Sequence, residues 1–147
     1  MYFSDMGTVT MVAEGPHVRA VGWLDAAHAF PTGSVDPRVL DRIRAFANAW
    51  GESTTVLEWP VFCGFHECDL CETEEDASGS LGVVASGNFG VVDGETLFVC
   101  PEMIAHYIAD HRYLPPQEFI TAILRAELPG TDAYARSVDA LRNRRSQ

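Results

Sequence analysis

The chain contains no lysine, so all ten of its basic side chains are arginine, set against 21 acidic ones for a formal net charge of −11. A surface with that balance repels phosphate backbones and argues against general nucleic-acid binding. Only Arg136, Arg142, Arg144 and Arg145 cluster, at the C-terminal end. Arginines gathered there read as a solvated helix terminus that suits the helix dipole. Also missing is any window of about 18 continuous apolar residues, the length that a membrane-spanning helix requires. Met1 to Glu14 holds two acids and no basic residue, whereas a secretory leader opens on a basic segment and continues with a longer apolar run. These absences predict a cytoplasmic protein with no membrane segment.

Internal repeats, low-complexity tracts and a regular βα alternation are absent too, and the last of these argues against a doubly wound fold. What remains is a chain of 147 residues with 47% hydrophobic content, enough for one domain with its own core. Such a chain does not need a metal or disulfides merely to fold. Any metal it binds stabilises a local loop.

Two β-type runs open the chain, Thr8–Val12 and Val18–Leu24, with Gly15-Pro16 as the turn between them. Asp36-Pro37 marks a helix start, with Asp36 as N-cap and Pro37 at the first helical position. Val39, Leu40, Ile43, Phe46, Ala47 and Trp50 follow at helical spacing, and Gly51 stops the helix. Ser53–Phe62 is a strand candidate, and the acidic, Ser/Gly-containing stretch after Cys71 reads as a mobile loop. Asn88–Val92 and Thr96–Val99 flank Asp93-Gly94, the dipeptide suited to a type I′ hairpin. Pro101 opens a helix through His111. Pro115-Pro116 starts another, with Phe119, Ile120, Ile123, Leu124 and Leu128 on its apolar face, and Pro129-Gly130 ends it. Thr131 or Asp132 caps a last helix that turns Tyr134, Val138 and Leu141 inward. The expectation is a single α+β domain over residues 1–147, mainly antiparallel in its sheet, with helices at about 36–50, 101–111, 116–128 and 132–142.

Three of the four cysteines and one of the five histidines fall between Cys63 and Cys71. Cys68-x-x-Cys71 has the spacing that puts two thiolates on one metal ion, with His66 two residues upstream. Thiolate with imidazole suits zinc, held in tetrahedral Cys/His cages. The remaining ligands must come from elsewhere, and His106-x4-His111 offers the matching histidine spacing. Candidate metal ligands are therefore His66, Cys68, Cys71, His106 and His111, more than one four-coordinate ion uses. On a helical wheel Met103, Ile104, Tyr107 and Ile108 define the buried face of 101–111. His111 falls within that face and His106 more than 100° away, beside Glu102 and Asp110. On that geometry both reach one ion only if the helix end frays or unwinds near His111. Cys63 and Cys100 each follow an apolar run and read as small core residues. Tyr107, Tyr113 and Trp59 likewise read as core aromatics. His17 and His28 lie in or near loops with no partner evident from sequence.

Redox chemistry is the main competitor for the thiols. A reactive CxxC needs a lowered thiol pKa, yet Glu67, Asp69, Glu72, Glu74 and Glu75 surround this pair, and negative neighbours disfavour thiolate. A divalent cation reverses that field. Haem attachment requires CxxCH, and residue 72 is glutamate.

The segments Gly64–Cys71 and Pro101–Phe119 together fit the pattern GxHxCxxC … PxxIxHYIxxHxYxPPxxF, which resembles an uncharacterised bacterial family over roughly residues 60–130. The resemblance implies that His66, Cys68, Cys71, His106 and His111 belong to one functional unit, and it supplies no activity. The expected function is a small acidic zinc-binding domain whose metal pins the 63–80 loop to the 101–111 helix, an interaction or regulatory module with a basic protein as partner. A zinc hydrolase or lyase with an open metal position and Glu67 or Glu102 as general base is the alternative, although neither HExxH nor the HxE…PCxxC deaminase signature is present. A CxxC redox switch is the second alternative.

Overall fold

The computed structural model describes residues 2–7, 18–49, 66–68, 70–71, 84–85 and 88–145. In chain order its elements are β1 (Val18–Ala20), α1 (Pro37–Ala49), β2 (His66–Glu67), β3 (Val84–Ala85), β4 (Asn88–Asp93), β5 (Thr96–Pro101), α2 (Ile104–His111), α3 (Gln117–Arg125) and α4 (Asp132–Arg145). Thr8–Val12, Gly15-Pro16, His17, Trp50-Gly51, Ser53–Phe62 with Trp59, Cys63, Asp69 and the acidic loop after Cys71 lie outside the described residues.

These elements form the expected α+β domain with mainly antiparallel pairing, and one short parallel pair makes the three-stranded sheet mixed rather than purely antiparallel. Its order is β1-β5-β4, with β4 antiparallel and β1 parallel to the central β5. A parallel pair needs a long crossover, and the chain between Ala20 and Thr96, which carries α1, supplies it. Both β4 and β5 are buried almost end to end, the pattern of strands covered on both faces rather than half-solvated ones. A separate two-stranded ladder pairs His66 with Ala85 and Glu67 with Val84.

The β4–β5 hairpin forms where the sequence places it, with its turn shifted by one residue. Asp93 is the last paired residue, opposite Thr96, so Gly94 and Glu95 make the loop. Gly94 has φ +59°, whereas Glu95 is not at positive φ, which departs from type I′ and fits a turn with glycine at the first central position. The first strand also stops sooner than its apolar run, because Gly22 turns the chain at φ +83°. A Cβ there would sit 2.7 Å from Ile104 Cδ1, so this crossing of β1's extension over α2 requires glycine. Just beyond it, the Trp23 indole N–H donates to the Val99 carbonyl at 2.9 Å.

Helix α1 begins as its sequence dictates. The Asp36 carboxylate accepts from the Arg38 backbone N–H at 2.9 Å, and the Asp36 carbonyl accepts from Val39 N–H, satisfying two of the orphan donors of the first turn. Its face Val39, Ile43 and Phe46 is fully buried. Phe46 packs on Phe89 of β4 at 5.9 Å, and Phe98 of β5 on Phe119 of α3 at 5.8 Å. Each such ring contributes on the order of 1.5–3 kcal/mol by burial. Arg42 of α1 donates through its guanidinium to the Ile123 and Ala126 carbonyls, closing the C-terminal end of α3.

Helix α2 starts at Ile104, three residues later than Pro101. Pro101 is instead the end of β5, paired with Asn88, at a strand terminus where its missing N–H removes little from the ladder. In α3 the buried face is Phe119, Ala122 and Ile123. Leu124, expected on that face, is exposed, because it lies about 100° round the helix from Ile123. Thr131 caps α4 through its hydroxyl to the Tyr134 N–H at 3.1 Å. Tyr134, Val138 and Leu141 are buried as expected, and the Tyr134 hydroxyl donates to the Gly90 carbonyl of β4. Among the described residues no helix is long and apolar enough to cross a membrane.

Candidate metal centre

Two short pieces of chain meet at the C-terminal end of α2. On one side the Cys71 N–H bonds to the Cys68 carbonyl at 3.3 Å, a four-residue turn that carries the two cysteines. On the other, α2 presents His106 and His111. Cys71 Sγ lies 3.1 Å from His106 Nε2 and 3.4 Å from His111 Nε2. Cys68 Sγ is 3.4 Å from His111 Nε2, and the two Nε2 atoms are 3.2 Å apart. All four donor atoms lie within 4.8 Å of one another.

Those separations would also suit a metal cage. A tetrahedral zinc ion, with bonds of about 2.3 Å to sulfur and about 2.0 Å to nitrogen, has S···N edges of about 3.5 Å and an N···N edge of about 3.3 Å. The four edges given above, of the six in the set, are within a few tenths of an ångström of these. The donor set, two thiolates and two imidazoles, is one that zinc accepts in closed structural sites.

Helix α2 does not unwind to bring its histidines together, contrary to the wheel argument. It runs to His111 and ends there, where Arg112 adopts φ 57° and ψ 27° and donates its N–H to the Tyr107 carbonyl. Residues five apart on an ideal helix have Cα atoms about 8.7 Å apart, within the combined reach of two imidazoles. The rings approach edge to face, with centroids 4.9 Å apart. Tyr107 and Ile108 are buried as expected, while His111 is half-buried rather than within the core face.

Asp110 completes the arrangement. Its Oδ2 lies 2.7 Å from His106 Nδ1, so His106 donates from Nδ1 and keeps the Nε2 lone pair for the cluster. This carboxylate–imidazole pairing is the usual outer support of a metal-bound histidine. The sequence reading placed Asp110 beside His106 without assigning it a part. The i,i+4 spacing was the signal available.

Burial sets the protonation states. It pushes the Cys68 thiol up to about 11, with smaller and opposing contributions around Cys71. It also lowers His111, helped by the neighbouring His106. At neutral pH these shifts favour a protonated Cys68 thiol and a neutral His111 imidazole. Desolvation, more than the acidic neighbours, thus disfavours the Cys68 thiolate.

His66 contributes its backbone to the β2–β3 ladder, and its side chain lies outside the described residues. Cys100 is fully buried, as expected of a core thiol, and burial holds it well above the ordinary range. Tyr107 and Tyr113 are buried, and the Tyr107 ring borders both site histidines at 6.2 and 6.4 Å. His28, which had no partner evident from sequence, stacks on Tyr2 at 3.7 Å and lies 2.6 Å from Asp25.

A family model described as "Domain of unknown function (DUF7919)" matches residues 1–124. The matched stretch contains all four donors and ends inside α3, and it extends well before the region of the motif resemblance. No curated protein and no solved structure matches the chain.

Proposed function

The chain belongs to the DUF7919 family, whose description names no activity, and from the chemistry of its own residues we propose that it is a zinc-binding domain with a structural metal site. The observation that carries this reading is the convergence of Cys68, Cys71, His106 and His111 within 4.8 Å from two separate segments. Zinc is favoured over other divalent ions by the even mixture of thiolate and imidazole and by the tetrahedral edge lengths. With four protein donors the coordination shell is complete, which supports a structural role over a catalytic one that keeps a vertex open for water.

The metal would clamp the 66–71 segment to the end of α2. In the described chain that segment otherwise holds to the two-residue ladder with β3. Binding would take up two thiolates, releasing the Cys68 proton that burial otherwise retains. A clamped loop on an acidic chain suits an interaction or regulatory module that meets a basic protein partner.

Metal analysis of purified protein, with Cys68→Ser alongside, tests the proposal. The expected result is one equivalent of zinc per chain, lost in the variant, and a cobalt-substituted form with tetrahedral d–d bands and thiolate charge transfer. Wild-type protein without stoichiometric metal, together with a variant that folds identically, would overturn it.

A further inference from the structure

Away from the metal centre, the N-terminal segment, the loop after Leu24 and the stretch entering α3 enclose a cleft of about 490 Å³. That volume falls within the roughly 300–1,000 Å³ of small-molecule sites. Its walls include Tyr2, Phe3, Phe30, Pro31 and Pro115, and Asp5 is a lining residue as well. None of the four metal-site donors takes part.

Asp5 is held in place by two donors. The Gly22 backbone N–H reaches Oδ1 at 3.1 Å and the Tyr113 hydroxyl reaches Oδ2 at 2.7 Å. Tyr113 is itself fully buried, so the carboxylate is fixed by a rigid partner. Among the described residues no arginine or histidine forms an ion pair with Asp5. Asp5 is thus half-buried, has no ion-pair partner among the described residues, and borders a largely apolar, aromatic-walled space.

From this geometry we infer that the cleft binds a small organic ammonium ion with an aromatic or branched apolar body. Any occupant strips water from Asp5. A neutral ligand leaves that charge uncompensated and an anion adds repulsion, whereas an ammonium group replaces the lost hydration with a charge-assisted hydrogen bond. The rings of Tyr2, Phe3 and Phe30 suit the same ligand twice, by apolar contact with its body and by cation–π attraction to its head.

The test uses the 147-residue protein as purified and three probes of one shape: benzylammonium, benzyl alcohol and benzoate. Backbone amide shifts of Phe30, Leu114 and Gln117 report occupancy. Saturable binding of benzylammonium is expected, at least about tenfold tighter than the alcohol, the scale of a hydrogen bond to a charged group, with benzoate weaker still. Asp5→Asn is expected to abolish the preference for the ammonium, and Phe30→Ala to weaken all binding. Because Asp5→Asn also disturbs the Gly22 and Tyr113 bonds, the wild-type probe series decides if that variant fails to fold. The inference is overturned if the alcohol or benzoate binds as well as the ammonium, if shifts arise elsewhere, or if no probe saturates at millimolar concentration.

Discussion

The carboxylate of Asp110 and the imidazole of His106, one helical turn apart, meet at 2.7 Å between Oδ2 and Nδ1. That bond decides which nitrogen of His106 faces Cys71. Asp110 is largely exposed, so its effect on folding is small, while its effect on the donor it orients is not. Asp110→Asn and Asp110→Ala are expected to weaken metal affinity by about 10–100-fold, measured by competition with a chromophoric chelator, with the far-UV circular dichroism unchanged.

Chelation should loosen one region and spare the rest. Of the four donors only Cys68 belongs to the hydrophobic core, at its margin from the 66–71 segment, so the packing of β4, β5, α1 and α3 rests mainly on other residues. Hydrogen exchange on the metal-free protein is expected to show lost protection at residues 66–71 and the last turn of α2, with β4 and β5 still protected. The thermal midpoint should fall, since a ligand present at roughly 100 times its Kd stabilises by about 2.7 kcal/mol. Global unfolding on chelation would contradict this division.

Local chemistry was legible in the sequence, and distant pairing was not. The start of α1 follows from Asp36-Pro37, and the hairpin from a glycine next to Asp93, because each depends on a few adjacent residues. Cys68, Cys71, His106 and His111 were likewise marked by their spacing. The parallel pairing of Val18 with Leu97 has no short-range signature. Nor does the convergence of His106 and His111, which a wheel diagram opposes because it projects away side-chain reach. The Asp5 cleft comes from three segments far apart in sequence and could not be read from any one of them.

Alkaline titration of the wild type against Tyr113→Phe reports on the buried Tyr113. Burial, and after it the Asp5 carboxylate, raises its hydroxyl far above the ordinary 10.0. A folded pKa above the unfolded one means that the protonated phenol stabilises the fold below about pH 10, and that this contribution is lost as pH rises beyond it. Absorbance at 295 nm should show Tyr113 ionising only together with unfolding. Tyr113→Phe should unfold less steeply with alkali while losing the Asp5 bond.

Gly22→Ala is expected to be among the more damaging single changes in the domain. The φ of +83° strains any residue with a Cβ, and the new methyl would lie 2.7 Å from Ile104 Cδ1. Strain of this type costs on the order of 1–3 kcal/mol, and the displaced Ile104 adds to it. Chemical denaturation should show a lower midpoint with an unchanged slope.

The bond from Trp23 to Val99 spans 76 residues, and β1 joins the sheet at the same place. During synthesis β1 leaves the ribosome long before β5 exists, and it must wait without its partner while α1 and the cysteine segment emerge. The sheet can close only after β5 is translated, and α2, with both site histidines, follows β5 directly. Capture of the proposed metal and closure of the sheet would thereby fall in the same late interval of the chain's production, and a nascent chain halted before residue 101 should hold neither.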